Sequence, residues 1–224
     1  MEIQDFRAAP ELSQTFRKAR ELGLESNLAE LEAFGFTIVP PEKAAPKAFF
    51  DRMLNAVLEI GAIEDEGKVS MANRPQSERP VYGRALFHLL HKHPVFAEAA
   101  LNPVGLTLAK YMMGASCQLW NTSSLVKQGQ VGVPTPLPQN GVVCNVSWIL
   151  TDYTKEKGTF FMVPSSHRWC RHPTDMDQPK FMGGPNDDEL GVPVEAAPVS
   201  LIVFHGNTWH GTYPKTDEAL RSHF

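Results

Sequence analysis

The sequence predicts a helical layer packed on a β-sandwich or barrel. Three observations carry that expectation. Apolar residues of the first half recur at helical spacing, as Phe49, Met53, Val57 and Ile60 do. From Cys117 onward the period drops to two. The later apolar runs are also short and are separated by Gly, Pro and Asn. The chain has 224 residues, 42% of them hydrophobic, which is enough for one sizeable core. A single domain over 1–224 is therefore expected, with helical support at about 8–114 and a β core at about 116–224.

The helical half divides at its breakers. "PELSQTFRKARELG" and "SNLAELEAFG" are rich in helix formers and end at glycines. Ser26 and Glu30 miss the capping-box spacing by one residue, so Ser26 is expected as a plain N-cap. "FTIVP" reads as a short strand and "PKAFFDRMLNAVLEIG" as a helix with a core stripe. "PVFAEAALNPVGLTLAKYMMG" reads as two helices split at Asn102-Pro103. The strands follow in "CQLWNTSSLV", "VVCNVSWILTDY", "GTFFMVPSS", "VSLIVFHG" and "TWHGTY". "TKEKG" is a polar hairpin turn, and the Pro- and Gly-rich stretch 176–198 is a long loop of the kind that lines a site.

Composition removes several function classes. A net charge of −4 without a basic stripe argues against nucleic acid as a partner. No apolar run approaches the roughly 18 residues of a membrane span. The start "MEIQDFRAAPELSQ" lacks the pattern of a signal peptide. Cys117, Cys144 and Cys170 are odd in number and lack metal-type spacing, so they read as free thiols of a cytoplasmic protein.

The chemistry concentrates in "FHGNTWHGTYPKTDEALR", residues 204–221. On a strand from Thr208, His210 and Thr212 share one face while Trp209 and Gly211 share the other. After the turn "PKTDEA", Arg221 is expected on the next strand, beside or diagonal to His210. Imidazole suits iron, and a guanidinium grips a carboxylate through two parallel hydrogen bonds. Taken alone, the spacing is equally that of an edge histidine and a solvated arginine. His205 ends an apolar run and reads as structural. In "NVSWIL", Asn145, Ser147 and Ile149 share one face, and Val146, Trp148 and Leu150 the other.

The combination is more specific than its parts. "N-x-x-W-x-L-T-D-Y-T-x-E-x-G", then "V-P-x-S-H-R", then "F-H-G-N-T-W-H-G" and an arginine eleven residues beyond His210 resemble the phytanoyl-CoA dioxygenase family. The resemblance covers about 28–224 and is strong from 132 to 221. It implies a double-stranded β-helix of the jelly-roll or cupin type, mainly β with N-terminal helices. It also implies Fe(II), 2-oxoglutarate as cosubstrate and O2, with hydroxylation of an unactivated C–H bond in a small organic substrate. By position, His210 matches the distal iron ligand, and Arg221 and Thr212 match the clamp on the far carboxylate of 2-oxoglutarate. Trp148 matches a tryptophan lining the cosubstrate pocket, and His167 in "VPSSH" a support of the site.

One departure is large. The family's proximal His-x-Asp or His-x-Glu is not present at any of the eight histidines. It is expected just before "GVPTPLPQNGVVCNVSW", between Gln130 and Val131, where "SSLVKQGQ" runs straight into the loop that should follow the ligands. A break or a tight join is expected at that point, and "ALRSHF" is expected to leave the barrel one strand short, with the chain continuing. Two alternatives follow: a halogenase, in which a small residue replaces the carboxylate, and a metal-free pseudoenzyme or binding module on the same scaffold.

Overall fold

The computed structural model describes residues 10–64, 82–128, 143–177, 190–216 and 219–224. Among the described residues, six α-helices come mostly before the β core: α1 (Pro10–Glu21), α2 (Glu25–Phe34), α3 (Pro41–Ala44), α4 (Lys47–Glu64), α5 (Val95–Ala100) and α6 (Pro103–Met113). Ser26 lies inside the first turn of α2 and does not cap it; the cap is Leu24, which makes no side-chain cap bond. Leu24 is fully buried, so packing sets this helix start in place of a hydroxyl. Asn102 does cap α6, accepting from the amides of Val104 and Gly105 at 2.9 and 3.1 Å. Among the described residues, no helix is long and apolar enough to cross a membrane.

The strands are β1 (Phe36–Val39), β2 (Tyr82–Phe87), β3 (Ser123–Gln128), β4 (Cys144–Trp148), β5 (Phe160–Met162), β6 (Val192–Pro193), β7 (Leu201–His205), β8 (His210–Thr212) and β9 (Arg221–His223). Every pairing among them is antiparallel. β7 lies between β1 and β4, and β3 between β2 and β9. β9 joins these two groups. Ile149 bridges His223, and Trp148 and Phe224 exchange backbone bonds of 2.6 and 2.9 Å. The result is one large sheet in the order β2-β3-β9-β4-β7-β1, facing a small sheet in the order β6-β5-β8.

Three expectations change here. β2 falls within the half read as helical, and β6 within the stretch read as loop. More of the described residues lie in helices than in strands, so "mainly β" gives way to mixed α and β: α4 alone has 18 residues, whereas no strand exceeds six. β9 lies between β3 and β4. The expected break at Gln130–Val131 lies outside the described residues.

Period-two alternation sorts the side chains of β4. Val146 and Trp148 face the helices, where Trp148 is 1% exposed and its ring meets Phe49 of α4 edge-on at 5.6 Å. Burying an aromatic or branched aliphatic side chain in this layer contributes about 1.5–3 kcal/mol. Ile149 faces the other way, into a second cluster with Phe160 and Met162 of β5 and Ile202 and Phe204 of β7. That second cluster draws on both sheets and is the barrel interior.

The turn from α2 into β1 ties the helices to the barrel. Gly35 has φ +84°, and a Cβ there would lie 2.5 Å from both His167 Nδ1 and Thr208 Oγ1. Only glycine suits this point, in conformation and in space.

Candidate functional site

β8 carries the first two candidates on its interior face. His210 pairs with Met162 across the small sheet and is 6% exposed. Its Nδ1 lies 2.6 Å from the Thr208 carbonyl, which can only accept, so Nδ1 carries the proton and Nε2 keeps its lone pair. Burial pushes the His210 pKa down against the smaller opposing effect of that hydrogen bond, which favours the neutral imidazole. A neutral ring with its far nitrogen bare and its near nitrogen held by a carbonyl is the form in which histidine binds a metal. Phe204 meets this ring edge-on at 4.8 Å.

Thr212, two residues along, pairs with Phe160. Its Oγ1 is buried and has no hydrogen-bond partner.

Arg221 arrives from the opposite sheet. It pairs with Lys127 of β3, not with β8, so it stands on a different sheet from His210 and Thr212. The expected neighbour-strand arrangement is thus replaced by a facing one. The reason is that the turn after β8 carries the chain from the small sheet to the large one.

The guanidinium is 0% exposed and no carboxylate partners it among the described residues. Nη2 donates to Tyr153 Oη at 2.9 Å, and Nη1 donates to the Gly158 carbonyl. The group lies over the Tyr153 ring at 4.9 Å and near the Phe160 ring at 6.0 Å, while Nε is buried without a partner. The hairpin "TKEKG" makes this possible. Gly158 has φ +74°, and a Cβ there would stand 2.8 Å from the Tyr213 carbonyl and 3.2 Å from Arg221 Nη1.

Trp148 does not join these residues. It lies on the helix-facing side of β4, and its role in lining the cosubstrate pocket is corrected to one in the helix-backed core. The cause is the pleat: the interior positions of that strand are Asn145, Ser147 and Ile149. Asn145 is the member the sequence reading left without a role. Its Nδ2 is buried without a partner, and it pairs with Phe204, the residue that touches His210. Tyr153 and His223 were also passed over. A polar residue inside a β-rich run was the available signal for Asn145; nothing in "TDYTKEKG" singles out the tyrosine.

His167 and His205 sit outside the interior, at the Gly35 turn. Their rings are 5.7 Å apart, and His205 Nδ1 accepts from the Asn207 amide at 3.0 Å. Burial lowers the pKa of both, and His167 Nδ1 has no partner.

Two tests of fit follow. Arg221 is a buried cation without a counter-ion among the described residues, and its unpartnered Nε and the unpartnered Thr212 hydroxyl both lie by Phe160. Such a donor set matches one end of a dicarboxylate. The metal end is thinner. Among the described residues no three His, Cys, Asp or Glu side chains converge, and the sequence has no His, Asp or Glu from Ala99 to Thr151. His210 fits an iron ligand, but a three-ligand centre is not completed among the described residues. A recess of about 380 Å3 is lined by Asp152, Tyr153, Lys157 and Glu195 among others, and by neither His210 nor Arg221.

The chain matches the phytanoyl-CoA dioxygenase family over residues 31–222. It is 26% identical over 216 residues to dioxygenase af480 of Aspergillus fumigatus, covering 92% of this chain and 66% of that protein. Among solved structures it is similar to HygX of Streptomyces hygroscopicus, crystallised with nickel and 2-oxoglutarate. The TM-score there is 0.69 at 15% identity, over 89% of this chain and 84% of that one. It is also similar to SnoK, a non-heme alpha-ketoglutarate-dependent carbocyclase from nogalamycin biosynthesis. That TM-score is 0.65 at 20% identity, over 89% and 81% of the two chains. At these identities the structures speak for the fold, a helix-backed antiparallel barrel. The match over 31–222 makes the chain a member of the phytanoyl-CoA dioxygenase family.

Proposed function

We propose that this protein is an oxidoreductase of the Fe(II)- and 2-oxoglutarate-dependent class, a dioxygenase that hydroxylates a C–H bond of a small organic substrate. One observation carries the reading: His210, Thr212 and Arg221 line one interior, and Thr212 Oγ1 and Arg221 Nε are buried there without partners. Arg221 and Thr212 hold the far carboxylate of 2-oxoglutarate, and His210 offers Nε2 to iron. The double-stranded β-helix is the form of barrel this reading takes. Relatives with bound metal and 2-oxoglutarate, such as HygX, and family membership support it.

The residues of the chain do the binding and the ordering. Arg221 neutralises the carboxylate in a water-poor interior, where a charged hydrogen bond is stronger than in solvent. Thr212 supplies a hydroxyl donor to the same group. Phe160, Phe204 and Ile149 keep water from the space between the sheets. No step is assigned through iron, because its other ligands are not among these residues.

That same gap favours a second reading. A chain without His, Asp or Glu from 99 to 151 binds a 2-oxo dicarboxylic acid on this scaffold without oxidising anything. The test is anaerobic loading with Fe(II), followed by measurement of retained iron and of succinate formed from 2-oxoglutarate in air. Stoichiometric iron and succinate formation support the oxygenase. Binding of 2-oxoglutarate without either supports the second reading, and no binding at all overturns both. The transcript sequence at the Gln130–Val131 junction separates a real deletion from a ligand pair encoded there.

A further inference from the structure

We infer that Tyr153 is a positioning residue for Arg221 and thereby sets the selectivity for acids with a second carboxylate. The inference rests on the clamp reading above. A guanidinium has five N–H donors and can present more than one edge. Here two of them are committed, one to Tyr153 Oη at 2.9 Å and one to the Gly158 carbonyl. Nε remains buried and unpartnered. The edge that includes Nε is therefore the one offered to an incoming carboxylate.

Tyr153 is built for that task. Its backbone is fixed by two bonds with Ala196, of 3.1 and 3.0 Å. Its ring packs edge-on against Phe160 at 5.4 Å and stacks under the guanidinium at 4.9 Å. Burial holds the phenol pKa up at about 12, despite the opposing pull of Arg221, so Tyr153 stays protonated at neutral pH. A protonated phenol accepts from Arg221 and keeps one proton to give; His223 Nδ1 stands 3.4 Å away, a long contact. His223 lies two residues beyond Arg221 on β9, so phenol, imidazole and guanidinium share one face. A phenolate would pair with Arg221 as a counter-ion and compete with the ligand. The neutral phenol orients the cation and leaves its charge for the acid.

The experiment is calorimetric titration of the intact chain with 2-oxoglutarate and with 2-oxobutyrate, which lacks the far carboxylate. Wild type, Tyr153→Phe and Arg221→Ala are compared, with thermal melting as the folding control. Tyr153→Phe is expected to weaken 2-oxoglutarate about tenfold, the loss of one hydrogen bond to a charged group. Binding of 2-oxobutyrate should not change. A merely structural tyrosine would weaken both acids alike, and that result overturns the inference. So does a Tyr153→Phe protein that binds both as wild type does, where wild type prefers 2-oxoglutarate through Arg221. If wild type shows no preference and Arg221→Ala changes nothing, the clamp reading fails and takes the inference with it. Should Tyr153→Phe not fold, 3-fluorotyrosine at 153 keeps the shape and weakens the acceptor oxygen. Loss confined to 2-oxoglutarate again supports the inference, and no selective loss overturns it.

Discussion

The two ends of the barrel interior are unequally furnished. At one end Arg221 is fully buried and donates to Tyr153 and Gly158, and the buried Thr212 hydroxyl has no partner. At the other end His210 is held neutral in one tautomer, and no group of three metal-ligating side chains forms among the described residues. The difference teaches that the buried cation and the candidate metal ligand are built by different parts of the fold. The Arg221 end draws on β9 and the hairpin before β5, whereas His210 sits on β8.

The sharpest way to break the comparison is at the metal end. If the protein is an oxygenase, His210→Ala abolishes 2-oxoglutarate turnover and lowers retained iron, read by succinate formation and elemental analysis. An unchanged iron content would remove His210 from the metal site.

The helix-facing side of β4 gives the next effect. Trp148→Ala should destabilise the fold by about 3–5 kcal/mol, the usual cost of emptying a large buried aromatic site, as read by urea unfolding. Trp148→Phe should bind 2-oxoglutarate like wild type, because that ring faces α4 and not the interior. Selective loss of cosubstrate binding would return Trp148 to the pocket.

At the clamp end, Arg221→Ala should weaken 2-oxoglutarate by about 2–5 kcal/mol, since the ligand carboxylate would be buried unpaired. That is on the order of 30- to several-thousand-fold. Arg221→Lys should restore only part, because a point charge cannot copy a planar fork. Circular dichroism checks the fold. Wild-type affinity in the alanine variant would end the cosubstrate assignment.

The smallest effect is in pH. His167, His205 and His210 all have pKa values pushed down by burial. Their ordinary value is about 6.5. The unfolded chain therefore binds more protons than the folded one just below that pH. The stability they contribute is fully present above about pH 6.5 and is lost as pH falls through the lowered folded values. The melting temperature should drop between pH 7 and pH 5.5. An equal drop in a His167→Asn, His205→Asn variant would show that this outer pair does not carry it.

Much of the architecture was legible because it depends on local periodicity. The helices of the first half, the split at Asn102-Pro103, the strand runs after Cys117 and the shared face of His210 and Thr212 all follow from side-chain spacing along one segment. β2 was missed because its partner β3 lies some forty residues away, and a strand at a sheet edge takes its hydrogen bonds from a distant segment.

By itself, the sequence determined the alternation of helix and strand, the family motifs and the absence of a proximal ligand pair. Each of these is a property of order along the chain. Only the tertiary structure decided that Arg221 and Thr212 stand on different sheets and not on neighbouring strands, that Trp148 faces the helices, and that a tyrosine hydroxyl and a glycine carbonyl accept from the guanidinium. Spacing states which residues share a face of one strand. Which two faces then enclose a common space depends on the connection that carries the chain from one sheet to the other, and that is fixed by packing over the whole domain.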